Sequence, residues 1–177
     1  LMIAVIGLDI LDVESAIEDI EIPSGEVCEI ANDNCPGQVI LSGTKEILEK
    51  FSIILKKKGA RTVLPLKVSA PFHCSLMNDA SKKMENVLSQ ISLKKLETKY
   101  ISNVTANFED DPDKIKELLV KQIFTRVKWR ESIIKAEKEG AKNFLEIGSG
   151  KVLTGMNKRI SKDIFSENIS NMKDIDS

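Results

Sequence analysis

Between Met2 and Leu66 the apolar residues switch between two spacings, and the order of the switches leaves few folds open. Met2–Ile6 reads as a short buried strand ended by Gly7. Val13, Ala16, Ile17 and Ile20 then recur at i, i+3, i+4 and i+7, the apolar face of a helix that Asp9 or Asp12 can cap and that Pro23 and Gly25 stop. Val27–Ala31 and Val39–Leu41 read as two strands joined by Asn32–Gln38, a hairpin with Pro36-Gly37 at the centre of a tight turn. Thr44 caps a second helix whose apolar face is Ile47, Leu48, Phe51, Ile54 and Leu55. The Lys56–Lys58 run complements its C-terminal dipole, and Gly59 ends it. With Thr62–Leu66 as a fourth strand the order is β-α-β-β-α-β, the split βαβ of the ferredoxin-like fold.

Beyond Leu66 the pattern becomes mainly helical. Ser75–Ile91 carries a stripe through Leu76, Met77, Ala80, Met84, Val87 and Leu88, and Lys99–Ser102 reads as a short strand. Asp111–Phe124, introduced by Pro112, and Trp129–Gly140 read as helices. Asn143–Ile147 is a strand, and Gly148-Ser149-Gly150 turns into a last helix ending near Ile160. Two strands and four helices do not close a doubly wound sheet, so this half reads as a piece of a larger α/β domain. Ser161–Ser177, rich in Ser, Asn, Asp and Lys, is expected to have no fixed structure of its own. The expected division is therefore an α+β arrangement of a small subdomain over 1–66, a second unit over 67–160 and a tail over 161–177.

A formal net charge of -1 implies no electrostatic partner, nucleic acid included. The three cysteines form no C-x-x-C pair and have one histidine to join them, so neither a disulfide framework nor a metal site is expected. No apolar run approaches the roughly 20 residues of a membrane span. The short MIAVIG run leads into Asp9 and Asp12 rather than a cleavage site. The expectation is a soluble cytoplasmic protein.

That one histidine, His73, sits in KVSAPFHCSLM, between a predicted strand and a predicted helix. A side chain that titrates near neutrality is the commonest general acid/base. Pro71 disfavours helix at Ala70 and Ser75 is a candidate N-cap, which puts His73 at a strand-to-helix junction, where sites collect. On spacing alone, a histidine packed beside Phe72 is the competing reading. A Cys74-His73 dyad is disfavoured because neighbours at such a bend seldom point at each other. No G-x-S-x-G occurs, and GSGK is no P-loop, since the first glycine of G-x-x-x-x-G-K would fall at Leu145.

VSAPFHCSLM resembles the histidine segment V-S-x-P-x-H-[SC]-x-L-M of malonyl-CoA:acyl carrier protein transacylases. Two further segments match in the same order: Asn32–Gln38 (NDNCPGQ) resembles N-x-N-x-P-x-Q, and Glu146–Ile160 (EIGSGKVLTGMNKRI) resembles E-x-G-P-G-K-V-L-x-G-L-x-K-R-I. With KKGARTVLPLKVS and QIFTRVKW, the similarity runs from about residue 2 to 161. Ser149 stands in place of the usual proline of G-P-G, and Arg126 in place of another. The resemblance implies that the second unit is the C-terminal portion of an α/β-hydrolase-like acyltransferase domain. It also implies that the G-H-S-x-G-E nucleophile elbow, the carboxylate-binding arginine and an oxyanion-hole glutamine belong to an N-terminal part of the same enzyme, outside this sequence.

The implied reaction is malonyl transfer from coenzyme A to acyl carrier protein in fatty acid biosynthesis, with no bound cofactor and with phosphopantetheine supplied by the carrier. His73 would be the general base, and Gln122 would orient it through its main-chain carbonyl or amide. Asn32 and Asn34 would face the substrate cleft. Arg61, Lys158 and Arg159 match basic positions implicated in carrier-protein docking, while Trp129 and Asn103 read as structural. The rival is a non-catalytic ferredoxin-like module binding a small effector or a protein partner. RNA is disfavoured, because MIAVI and VIL offer no aromatic platform for bases. The rival leaves the ordered matches after Leu66 unexplained.

Overall fold

The computed structural model describes residues 1–175. Its first third follows the expected order: β1 (Met2–Ile6), α1 (Ile10–Glu18), β2 (Cys28–Cys35), β3 (Gln38–Gly43), α2 (Lys45–Lys57) and β4 (Thr62–Pro65). The strands form one antiparallel sheet in the order β2-β3-β1-β4, with Ala4 facing Ile40 on one side and Leu64 on the other. This is the ferredoxin-like arrangement read from the pattern.

Because successive strand residues point to opposite faces, β1 feeds two apolar clusters. Ile3 and Val5 join Leu41 in a core with Val13 of α1 and Leu48, Phe51 and Leu55 of α2. Met2 and Ala4 join Ala31 and Ile40 on the other face, where Ile6, Leu66 and Phe72 pack against them. The second cluster fixes the position of the residue that precedes His73.

Two local expectations are corrected here. Helix α1 stops at Glu18 with Asp19 as its C-cap, so Ile20 packs from outside the helix. Strand β2 continues through Asn32 and Asp33 to Cys35, where a turn of seven residues was expected. Asn and Asp are disfavoured in strands, yet here both edges of the segment are used. Asn32 and Asp33 pair with Ile40 and Val39 across two register irregularities. On the other side Val127 donates to the Ala31 carbonyl at 2.8 Å and accepts from the Asp33 amide at 3.0 Å. The turn shrinks to Pro36-Gly37, with Gly37 at φ +68°.

The remainder holds α3 (Asn78–Ser89) behind a short 3-10 turn, then β5 (Tyr100–Ile101) and β6 (Phe108–Glu109) as a small antiparallel pair. Helices α4 (Pro112–Gln122) and α5 (Trp129–Lys138) follow, then β7 (Asn143–Ile147), α6 (Val152–Ile160) and β8 (Phe165–Ile169). Asp111 caps α4 by accepting from the Asp113 amide at 2.9 Å, and Pro112 occupies its first turn.

The segment 161–177, expected to lack fixed structure, contains a strand: β8 pairs in parallel with β7. Its polar residues serve as partners. Ser166 is buried and its hydroxyl accepts from Asn157 at 3.2 Å, while the Thr154 hydroxyl donates to the Glu167 carbonyl at 3.0 Å. Residues 176 and 177 of the expected tail lie outside the described residues.

Parallel sheets are usually covered on both faces. Here Leu145, Ile147 and Phe165 of the β7–β8 pair are 53%, 79% and 57% exposed, so one face of the pair is uncovered among the described residues. No helix among the described residues is long and apolar enough to cross a membrane.

Candidate active site

The last carbonyls of a helix have no partner within it, so the end of α4 offers acceptors to whatever lies alongside. His73 takes two of them. Its amide donates to the Ile123 carbonyl at 3.1 Å, and its ring Nδ1 lies 2.7 Å from the Gln122 carbonyl oxygen. A carbonyl oxygen only accepts, so the proton of the neutral ring sits on Nδ1 and the lone pair on Nε2. The bond survives protonation of the ring, because both nitrogens of an imidazolium are donors.

The backbone at His73 is unusual as well. Its φ of +61° is left-handed, a conformation that costs a non-glycine residue on the order of 1–3 kcal/mol and that surrounding contacts must hold. Phe72 supplies one hold by packing on the second face of the sheet. Cys74 supplies another: it is buried and its thiol donates to the Pro71 carbonyl at 3.2 Å, closing the loop on itself rather than reaching the ring. Ser75 does not cap the helix as expected; Cys74 holds the cap position of the 3-10 turn. The Ser75 amide donates to Glu29 Oε2 at 3.1 Å and its hydroxyl donates to Glu29 Oε1.

Of the two routes by which Gln122 could orient His73, the main-chain carbonyl is the one in contact. The Gln122 side-chain oxygen instead accepts from Asn103 Nδ2 at 3.4 Å. The Asn103 carbonyl in turn accepts from the Lys128 amide at 2.8 Å, so Asn103 ties α4 to the start of α5. Trp129, one residue on, donates from its indole to Asn157 at 3.1 Å.

Among the described residues no hydrogen bond joins Asn32 or Asn34 to His73. The two asparagines line a groove of about 400 Å³ with Ile40, Leu66 and Trp129. Ile40 and Leu66 also belong to the cluster that carries Phe72, so groove and histidine share one supporting face of the sheet.

The three basic positions separate into two places. At Gly7, φ +98°, an added Cβ would stand 2.9 Å from Arg61 Cβ. The amide of this glycine donates to the Gly37 carbonyl at 2.9 Å. Arg159 reaches the same turn, donating to the Pro36 carbonyl at 2.5 Å and to Gln38 Oε1 at 2.9 Å. Arg61 and Arg159 thus sit at one end of the small sheet. Lys158, about 100° away around α6, lines a different pocket with Thr154 and Glu167 of the β8 side.

Two ionic contacts tie Arg126 and Arg130 to the first third of the chain. Arg130 grips the buried Asp33 carboxylate, Nε at 2.9 Å and Nη2 at 2.8 Å from Oδ2. The hydrogen bond to Asp33 raises the Arg130 pKa above its ordinary value. Arg126 donates to Glu14 of α1 at 2.7 Å. Both pairs join residues about a hundred positions apart, a distance at which no sequence spacing is informative. Burial, then the neighbouring Glu29, pushes Cys28 up to about 12, and burial raises Cys35, which disfavours the thiolate of both. Among the described residues no group of His, Cys, Asp or Glu could hold a metal ion.

Comparisons with known proteins point one way. A malonyl CoA-acyl carrier protein transacylase of Bacillus subtilis is 37% identical over 175 residues, covering 99% of this chain and 55% of that protein. An acyl carrier protein S-malonyltransferase of Vibrio cholerae superposes with a TM-score of 0.93 at 35% identity, over 99% of this chain and 56% of its own. A malonyl-transacylase solved in complex with its type II PKS acyl-carrier protein gives 0.91 at 34% identity, over 97% and 55%. The chain spans about half the length of the curated relatives it matches. No family model matches it.

Proposed function

We propose that this chain is the C-terminal, histidine-bearing portion of a malonyl-CoA:acyl carrier protein transacylase. The observation that carries the reading is the 2.7 Å contact of His73 Nδ1 with the Gln122 carbonyl, which leaves Nε2 as the base, inside a chain similar to such enzymes over 99% of its length. Similarity that continues far beyond residue 66 counts against a stand-alone ferredoxin-like binding module.

In this reading a serine outside these 177 residues attacks the malonyl-CoA thioester carbonyl while His73 Nε2 takes its proton. The tetrahedral intermediate expels coenzyme A, whose sulfur receives that proton from Nε2, and malonyl-serine remains. The phosphopantetheine thiol of acyl carrier protein then gives its proton to Nε2 and attacks the ester, and the serine oxygen recovers the proton. Throughout, the Gln122 carbonyl keeps the ring's orientation and tautomer, the task of the third group in such sites. Asn32 and Asn34 meet the acyl or pantetheine moiety in the groove, and Arg61 and Arg159 meet the acidic carrier. No resident cofactor takes part, and three free cysteines suit a cytoplasmic setting.

The experiment compares the chain alone with the chain fused to a polypeptide that supplies the G-H-S-x-G-E segment, using radiolabelled malonyl-CoA and acyl carrier protein. Label should reach the carrier only with the fusion, since a base without nucleophile and oxyanion donors has no covalent step to assist. Transfer by the chain alone would refute the partial-enzyme reading.

A further inference from the structure

We propose that Glu29 is a positioning residue for His73, acting from the small subdomain through Ser75. The inference rests on the proposed role of His73, and it adds a residue two elements away from the reacting atoms.

A left-handed non-glycine residue relaxes unless both flanks are held. The residue itself is tied to the end of α4 through its amide and Nδ1, and on one flank Phe72 packs on the sheet. On the other flank, two residues on, the Ser75 amide and hydroxyl both end on the Glu29 carboxylate. That amide is among the first donors of the 3-10 turn preceding α3, a group with no partner inside the turn. The carboxylate therefore satisfies an orphan donor at the positive end of a helical segment and anchors the loop with a charge-assisted pair of bonds.

What holds Glu29 matters equally. It lies in β2, an edge strand of the four-stranded sheet, opposite Ser42 of β3, so its main chain is fixed by the ladder on that side. The Phe72 ring packs on the same sheet. The bend from Phe72 to Ser75 is thus attached to the sheet before and after the histidine, and to α4 at the histidine itself. Removing Glu29 opens one of three attachments, and the bend is then free to relax out of the left-handed conformation, which withdraws Nδ1 from Gln122.

His73 is the sole histidine, so its ring nitrogens give an unambiguous ¹⁵N signature in the 177-residue chain. Spectra recorded where the ring is neutral read the fraction protonated on each nitrogen. The native chain should show the Nδ1-H form. Glu29→Ala should raise the share carrying the proton on Nε2 about tenfold, the population change that about 1.4 kcal/mol produces. Ser75→Ala, which keeps the amide bond, and Glu29→Gln, which keeps an acceptor, should each give a smaller rise and guard against loss of fold in the alanine variant. An unchanged tautomer ratio in all three, with the Ser75 amide signal displaced, would overturn the proposal while leaving the role of His73 intact. A native chain protonated on Nε2 would instead overturn the His73–Gln122 arrangement, and with it this inference.

Discussion

Arg130 of α5 holds the carboxylate of Asp33 in β2 through Nε and Nη2, and the two ends of that pair differ in their access to water: 29% of the arginine side chain is exposed and 1% of the aspartate. The asymmetry gives a prediction. Arg130→Ala leaves a carboxylate that cannot reach solvent, a loss of about 3 kcal/mol or more. Asp33→Ala leaves a guanidinium that can swing outward and should cost only about 1–2 kcal/mol. Urea unfolding of the two variants, read as shifts in midpoint at constant slope, checks the order. Equal costs would mean that the pair is solvated.

Glu146 predicts a dependence on acid. Its carboxylate accepts from the Thr154 amide at 2.8 Å and the Leu153 amide at 3.1 Å, capping α6 from β7. The Thr154 main-chain bond is the largest reason its pKa falls below the ordinary 4.5. A depressed carboxylate stabilises the fold fully above its unfolded value and loses that contribution as pH falls through the folded one. Thermal melts should therefore show a drop below about pH 4.5 that Glu146→Gln reduces. The same acid slope in the variant would assign it to other carboxylates.

Carrier docking is predicted to divide the basic residues. Arg61→Ala with Arg159→Ala should weaken binding of acyl carrier protein roughly tenfold and flatten its salt dependence, because both arginines flank the Gly7–Gly37 contact. Lys158→Ala should leave binding unchanged, as that side chain lines the β8-side pocket. Chemical-shift titration of the labelled carrier reads all three. A loss with Lys158→Ala alone would move the docking surface to the β8-side pocket.

Much of the small subdomain was legible because its sheet is buried on both faces by local, strongly periodic residues. Val5, Val13, Leu48 and Phe51 each fall where their spacing puts them. The segment Asn32–Cys35 was misread because turn-forming side chains there are overruled by Val127, a partner that only the tertiary fold brings near. Glu29 and Ser75 were invisible for the same reason, being 46 positions apart. The strand β8 was missed because its polar residues resemble those of a disordered tail, whereas Ser166 and Glu167 are bonded to α6. His73 was conspicuous as a lone histidine at a bend, but its left-handed backbone and its hold on α4 have no sequence signature.

Whether His73 works as a base or only packs is decided by kinetics on the fusion. His73→Ala in the fusion that carries the nucleophile segment should lower kcat for malonyl transfer by about 10³ to 10⁶, the loss seen when one member of a nucleophile–base unit is removed. The melting temperature should move by no more than a few degrees, since the half-buried ring contributes little to either apolar cluster. Retained transfer together with a large fall in melting temperature would make His73 a structural residue and not a base.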